Sequence, residues 1–95
     1  RMLLLEFLGG VPAMIERLHE ALAAGDGKEL MQRAHALRGS ARTLGADALA
    51  AVCEALEEVA RQGQMDLAHF HAARVTQEYE RIGPAVEEFL RDQAA

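Results

Sequence analysis

The chain has 95 residues, with Lys+Arg 10 against Asp+Glu 15, a formal net charge of -5, and 51% hydrophobic but only 4% aromatic side chains. The ample apolar content excludes a disordered chain, and the scarcity of β-branched and aromatic residues argues against a sheet protein. An acidic balance opposes general nucleic-acid binding. The single Cys53 excludes an intramolecular disulfide or a multi-cysteine zinc site and suits a reducing cytoplasm. The longest apolar run, Met2 to Leu5, is too short for a bilayer span or a signal segment.

Gly and Pro punctuate the chain into helical blocks at about 2–8, 12–24, 27–44, 47–62 and 67–92. Gly9-Gly10 ends the first block, and Pro12 suits the first turn of the second. Gly25 closes that second block in a left-handed cap. Asp26 then caps the third, with Glu29 completing a capping-box pattern. Gly45 and Gly63 end the next two blocks, and Asp47 and Asp66 are placed to cap the fourth and fifth.

Four of the blocks carry an apolar seam at helical spacing. The first seam holds Val11, Met14, Ile15, Leu18 and Leu22, and the second holds Leu30, Ala34, Leu37, Ala41 and Leu44. The third holds Leu49, Val52, Cys53, Leu56 and Ala60. The last runs through Ala68, Ala72, Val75, Tyr79, Ile82, Val86 and Phe89, with Gly83-Pro84 expected to bend it. The connections are short. The expected fold is all-α: an antiparallel up-down four-helix bundle with a short additional N-terminal helix capping one end, the whole of 1–95 forming one domain. Arg1 stands before Met2, the pattern of a segment of a longer chain.

There is no Gly-rich phosphate loop, nucleophile elbow or paired metal motif, which leaves four histidines as candidates. At about 100° per residue, His35 falls roughly 140° off the seam of its block and faces solvent. Lys28, Met31, Arg38, Gly39 and Arg42 share that face, a basic stripe on an acidic protein. Gly39 costs about 1 kcal/mol relative to Ala in a helix interior. Two readings stay open at this point. Gly39 clears space beside His35, or it allows close helix packing; His35 itself is a functional group or an ordinary surface histidine.

The stretch Ala34-His35-Ala36-Leu37-Arg38-Gly39-Ser40-Ala41, followed by Leu44-Gly45-Ala46, Leu49, Cys53 and Leu56-Glu57, resembles the histidine phosphotransfer (HPt) domains of two-component phosphorelays. The resemblance extends to the Ala-Gly-Asp turn before this block and to Glu78-Tyr79 in the last one. It implies a four-helix bundle in which His35 accepts a phosphoryl group. Arg38 matches a position usually held by a Lys that attracts the phosphoryl group; Arg keeps the charge but is bulkier. Gly39 matches the Gly that clears space. Glu57 falls where a Gln or Glu often orients the imidazole, and Arg61 where some members carry a basic residue.

The resemblance further implies that this domain is a carrier rather than an enzyme. The kinase and receiver partners supply the catalytic machinery, and Mg²⁺ belongs to the receiver, with no cofactor here. The implied partners are response-regulator receiver domains and a sensor histidine kinase, without nucleic acid or direct membrane contact. The domain is expected to be cytoplasmic, standing alone or within a membrane-bound hybrid kinase. Docking is expected over the face around His35, with Met31 and Ala50 as apolar anchors and Lys28, Arg38 and Arg42 as steering charges. Two rival functions are the phospho-accepting domain of a chemotaxis-type kinase and a helical interaction module that transfers nothing.

The remaining candidates read as structural. Glu16-Arg17-Leu18-His19 fits one Glu-x-x-His element of a di-iron bundle, but no second copy is present, and His19 is expected to point away from the seam. His69 and His71 do not share a helix face; His71 borders the seam. Cys53 reads as a small core residue with no activating basic neighbour. Glu54, Glu57 and Glu58 read most simply as a solvated acidic face, with Glu57 and Arg61 an i,i+4 pair.

Overall fold

The computed structural model describes residues 2–94. It is all-helical among the described residues: α1 (Met2–Ala23), α2 (Gly27–Thr43), α3 (Asp47–Arg61) and α4 (Met65–Ala94). The bundle is elongated, 46 × 19 × 19 Å. α2 packs against α1 and α3, and α4 packs against α3 and α1, which closes a ring around one core.

One turn serves at all three connections. Gly25, Gly45 and Gly63 adopt φ of 68°, 75° and 73°, a left-handed conformation that costs an L side chain energy but not glycine. In the first turn Gly25 N–H donates to Leu22 and Asp26 N–H donates to Ala21, both at 3.0 Å. The same pair of bonds recurs from Gly45 to Arg42 and Ala46 to Ala41, and from Gly63 to Ala60 and Gln64 to Val59. These are Schellman caps, which satisfy the last carbonyls of each helix.

The helix starts are less uniform. Asp26 caps α2, its Oδ1 accepting from Glu29 N–H at 3.0 Å. The reciprocal half of the capping box is absent, because the Glu29 side chain instead accepts from Arg33 at 2.6 Å. Asp47 and Asp66, expected as caps, lie inside the first turns of α3 and α4. The Schellman turn starts α3 one residue earlier, at the N-cap Ala46, which makes no side-chain bond. The two aspartates still face the positive ends of their helix dipoles.

The expected separate N-terminal helix does not exist. α1 runs unbroken from Met2 through Gly9, Gly10 and Pro12 to Ala23. Neither glycine takes a positive φ, and Pro12 removes one ladder bond and crowds the preceding turn, which lowers helix propensity without ending the helix. The side chains before Gly9 lie outside the described set, as do Val86 and Phe89 at the end of the expected α4 seam. α4 likewise continues through Gly83 and Pro84.

The core follows the expected seams. Leu18, Leu30, Leu37, Leu49, Leu56, Val11, Val75 and Cys53 are its largest fully buried side chains. Met14, Leu44, Tyr79 and Ile82 pack at its edge. Small residues complete it: Ala34, Ala41, Ala68 and Ala72 are wholly buried and let the helix backbones approach. Burial of the apolar groups, at roughly 25 cal/mol per Å², is the main force holding the four helices together.

Candidate functional site

The buried stripe of α2 is Leu30, Ala34, Leu37 and Ala41. His35 lies off this stripe, as its angle predicts, and its side chain is 62% exposed. Exposure does not leave the ring free. Its Nδ1 stands 3.0 Å from Glu57 Oε2 on α3 and 3.0 Å from Nη2 of Arg38, one turn further along α2. Among the described residues Nε2, the other ring nitrogen, makes no hydrogen bond.

Glu57 corrects the sequence reading. Its side chain is only 10% exposed, whereas Glu54 and Glu58 face solvent. The reason is helical phase. Glu57 follows the buried Cys53 by four residues and so falls on the buried arc of α3. A carboxylate in that position must be paired. Arg38 Nη1 lies 3.3 Å from Oε1, an ion-pair distance that leaves this buried oxygen without a hydrogen bond among the described residues, and Arg61 Nη2 lies 3.4 Å from Oε2. Arg61 also pairs with Glu58. The i,i+4 pair with Arg61 therefore exists but is only one strand of a network centred on Glu57.

Cys53 lies beneath this network. Burial pushes its thiol up from 9.0 to about 12, against a smaller opposing pull from the Arg38 guanidinium and a further push from Glu57. The expectation of no basic neighbour thus needs amending. Arg38 is close enough to act on the sulfur, but desolvation prevails and the thiol stays protonated.

Gly39 is exposed, and a Cβ built on it would meet nothing within 4 Å. Close helix packing is therefore not its purpose, and the space beside His35 is open. A separate groove of about 520 Å³ runs along α3, lined by Arg38, Ala51, Glu54, Ala55, Glu57, Glu58 and Arg61. Lys28 and Arg42 are exposed; Arg42 Nη2 sits 3.5 Å from Glu54 Oε2, both solvated.

Two expected docking residues are placed differently. Ala50 is buried, 6% exposed, and is not available to a partner. α3 packs against both α2 and α4, so its buried arc is wide enough to take in Ala50 along with Leu49, and the neighbouring Ala51 is the exposed one. Met31 is half-buried and packs against the core, offering only part of its side chain outward.

The other histidines lie apart from this site. His19 does not point away from the bundle: it is half-buried, its Nε2 2.7 Å from Thr76 Oγ1 on α4. His71 is half-buried, its Nδ1 shielded and without a hydrogen-bond partner among the described residues, its ring edge-on to Phe70 at 5.3 Å. His69 is exposed. No group of three or more His, Cys, Asp or Glu among the described residues is arranged to hold a metal ion. No helix among them is long and apolar enough to cross a membrane.

The site thus consists of one exposed imidazole, oriented through Nδ1 by a buried carboxylate, with its outer nitrogen open and two arginines alongside. Comparison with known proteins bears on what such a site is for. The family model described as Hpt domain matches residues 2–85. The structure is similar to the crystal structure of histidine-containing phosphotransfer protein B from Pseudomonas aeruginosa, with a TM-score of 0.90 and 30% sequence identity. That similarity covers 96% of this chain and 79% of the other. No curated protein matches the chain. A match across nearly the full length, joined to a superposable fold, shows that this chain belongs to the Hpt domain family.

Proposed function

We propose that His35 is the residue through which this domain performs histidine phosphotransfer, the activity in phosphorelay signalling that its family membership carries. The observation that supports the assignment is the contact between Nδ1 and the buried Glu57. An imidazole whose Nδ1–H donates to a carboxylate keeps its lone pair on Nε2, and Nε2 faces the open side. That lone pair attacks the phosphorus of an aspartyl phosphate on a receiver domain. The Nε2–P bond forms, the P–O bond breaks, and the electron pair leaves with the receiver's Asp carboxylate. The Nδ1 proton stays in the bond to Glu57, which offsets the positive charge the ring acquires. Attack by a second receiver's Asp carboxylate reverses the sequence.

Hpt domains carry the group rather than turn over a substrate. In this reading the kinase and receiver supply the catalytic groups, Mg²⁺ included. Phosphoryl transfer depends mainly on positioning and on charge stabilisation. Arg38 is within reach to supply part of the latter here, and the open space over Gly39 admits the donor. Lys28 and Arg42 steer an acidic receiver site, which raises the rate of encounter more than affinity. The partner's apolar contact falls on Ala51 and Ala55 of the groove rather than on Ala50, with Met31 adding its outward part. We read the whole bundle as up-down and antiparallel: α2 residues 35 and 42 meet α3 residues 57 and 54, and each connection is three residues long. We place the domain in the cytoplasm, where receivers and kinases operate.

Incubation with a phosphorylated receiver tests the assignment. The wild-type chain gains acid-labile, base-stable label and His35→Gln gains none while keeping its fold. Label retained by His35→Gln would place the acceptor elsewhere. Failure of the wild-type chain to gain label from any receiver or kinase would favour an interaction module.

A further inference from the structure

The environment of His35 contains a conflict over one proton. Nδ1 has two neighbours at the same distance, 3.0 Å: Glu57 Oε2 and Arg38 Nη2. They make opposite demands. A carboxylate oxygen accepts, so it calls for a proton on Nδ1. A guanidinium has only donors, so it calls for a lone pair there. A ring nitrogen in a neutral imidazole offers one or the other. In either tautomer only one of the two contacts can be a hydrogen bond, and each calls for a different tautomer. With Glu57 engaged the lone pair is on the outward Nε2, whereas with Arg38 engaged Nε2 carries the proton and cannot attack.

Arg38 is placed to make this exchange without leaving the site. Its Nη1 is 3.3 Å from the other Glu57 oxygen, Oε1, and Arg61 holds Oε2 from a third side. The carboxylate thus keeps its position while the second prong of the Arg38 fork moves. The ring is largely in water, which can take a proton from Nε2 and return one to Nδ1, so the proton count of the site does not change.

We propose that Arg38 gates the acceptor by competing with Glu57 for Nδ1 of His35. At rest its guanidinium holds a share of the molecules in the unreactive Nε2–H tautomer. The negative charge of an arriving phosphoryl group draws Nη2 away, Nδ1 takes the proton toward Glu57, and Nε2 becomes the nucleophile. The consequence is a histidine of damped reactivity toward stray small-molecule phosphodonors and full reactivity once a partner presents its phosphoryl group. The inference rests on the assignment of His35 as acceptor, but its test needs no phosphodonor.

The tautomer is read directly from the ¹⁵N shifts of the His35 ring in the folded, uniformly labelled chain at pH 8.5. The wild-type shifts should be an average of the two tautomers. Arg38→Met keeps the stem and removes the donors, and should raise the Nδ1–H share at least twofold. Glu57→Gln should move it the opposite way. A purely structural Arg38 would leave the ratio unchanged on substitution, and that result would overturn the gate even if His35 proves to be the acceptor. Conversely, label mapped to another residue would remove the acceptor assignment whatever the tautomers show. If Arg38→Met loses its helical signal, Arg38→Gln with the same measurement stands in, its single amide giving an intermediate shift; an unchanged ratio in Arg38→Gln also overturns the proposal.

Discussion

Two faces of this bundle present histidines in opposite ways. On α2 and α3 the imidazole of His35 is mostly exposed, yet tied at Nδ1 to a buried carboxylate. On α1 and α4, His19 is half-buried against the hydroxyl of Thr76, and His71 keeps a shielded nitrogen with no hydrogen-bond partner among the described residues. Neither exposure nor burial alone therefore separates the histidine proposed as acceptor from the others. What sets His35 apart is division of labour between its nitrogens, one held and one open. His19 uses Nε2 in packing α1 onto α4, and His69 is exposed.

The comparison can be broken most decisively by exchanging glutamine for each histidine in turn. His35→Gln should abolish transfer from a phospho-receiver, while His69→Gln and His71→Gln retain it. His19→Gln should also retain it, at a cost in melting temperature from the lost bond to Thr76, about 1 kcal/mol. Loss of transfer in the folded His19 or His71 variant would erase the distinction between the faces.

The packing beneath the site supplies the next contrast. Burial raises the Cys53 thiol to about 12, so in the fold the thiolate is disfavoured. Modification by a thiol reagent at pH 8 should be slower in the native chain than in the denatured chain by about a hundredfold or more. The linkage has a definite sign. The unfolded thiol ionises near 9.0 and the folded one near 12, so this contribution to stability is complete below pH 9 and is lost as pH rises toward 12. Rapid native-state modification would mean that α3 does not seal the ground under Glu57.

Removal of Glu57 sharpens the account of the held nitrogen. Glu57→Ala deletes the partner of Nδ1 and leaves Arg38 without its carboxylate. Transfer should fall by about ten- to a hundredfold, the scale of one charge-assisted hydrogen bond at about 1.5–3 kcal/mol. Rates measured at saturating phospho-receiver check this, and an unchanged rate would reduce Glu57 to a structural ion pair.

The smallest effect concerns Gly39. With open space where its Cβ would be, Gly39→Ala should raise stability by several tenths of a kcal/mol, up to about 1, through helix propensity alone. Gly39→Gln should melt near the wild type but transfer more slowly. A sharp drop in melting temperature would restore the packing explanation.

Much of this was legible in the amino-acid order because it rests on local chemistry. The three glycine turns announce themselves, since a left-handed cap tolerates few other residues. The seams of α2 and α3 follow from apolar spacing, and so does the exposure of His35. The failures have equally physical causes. Gly9, Gly10 and Pro12 look like a break, but helix breakers lower a propensity that the rest of α1 can carry. Glu57 looked solvated because a charged residue is normally outside. Its phase with Cys53 already pointed inward, and only the partners on α2 explain why burial is tolerated. Ala50 and His19 depend on how far each neighbouring helix wraps, which one helix's periodicity does not contain.

The phosphoryl group is expected to bond to the open nitrogen of His35. The direct test is ³¹P–¹⁵N correlation on the ¹⁵N-histidine-labelled chain after transfer from a phosphorylated receiver. The account predicts a single phosphorus coupled to Nε2 of His35, with the Nδ1 proton retained. Phosphorus coupled to Nδ1, or to any other histidine, would contradict it.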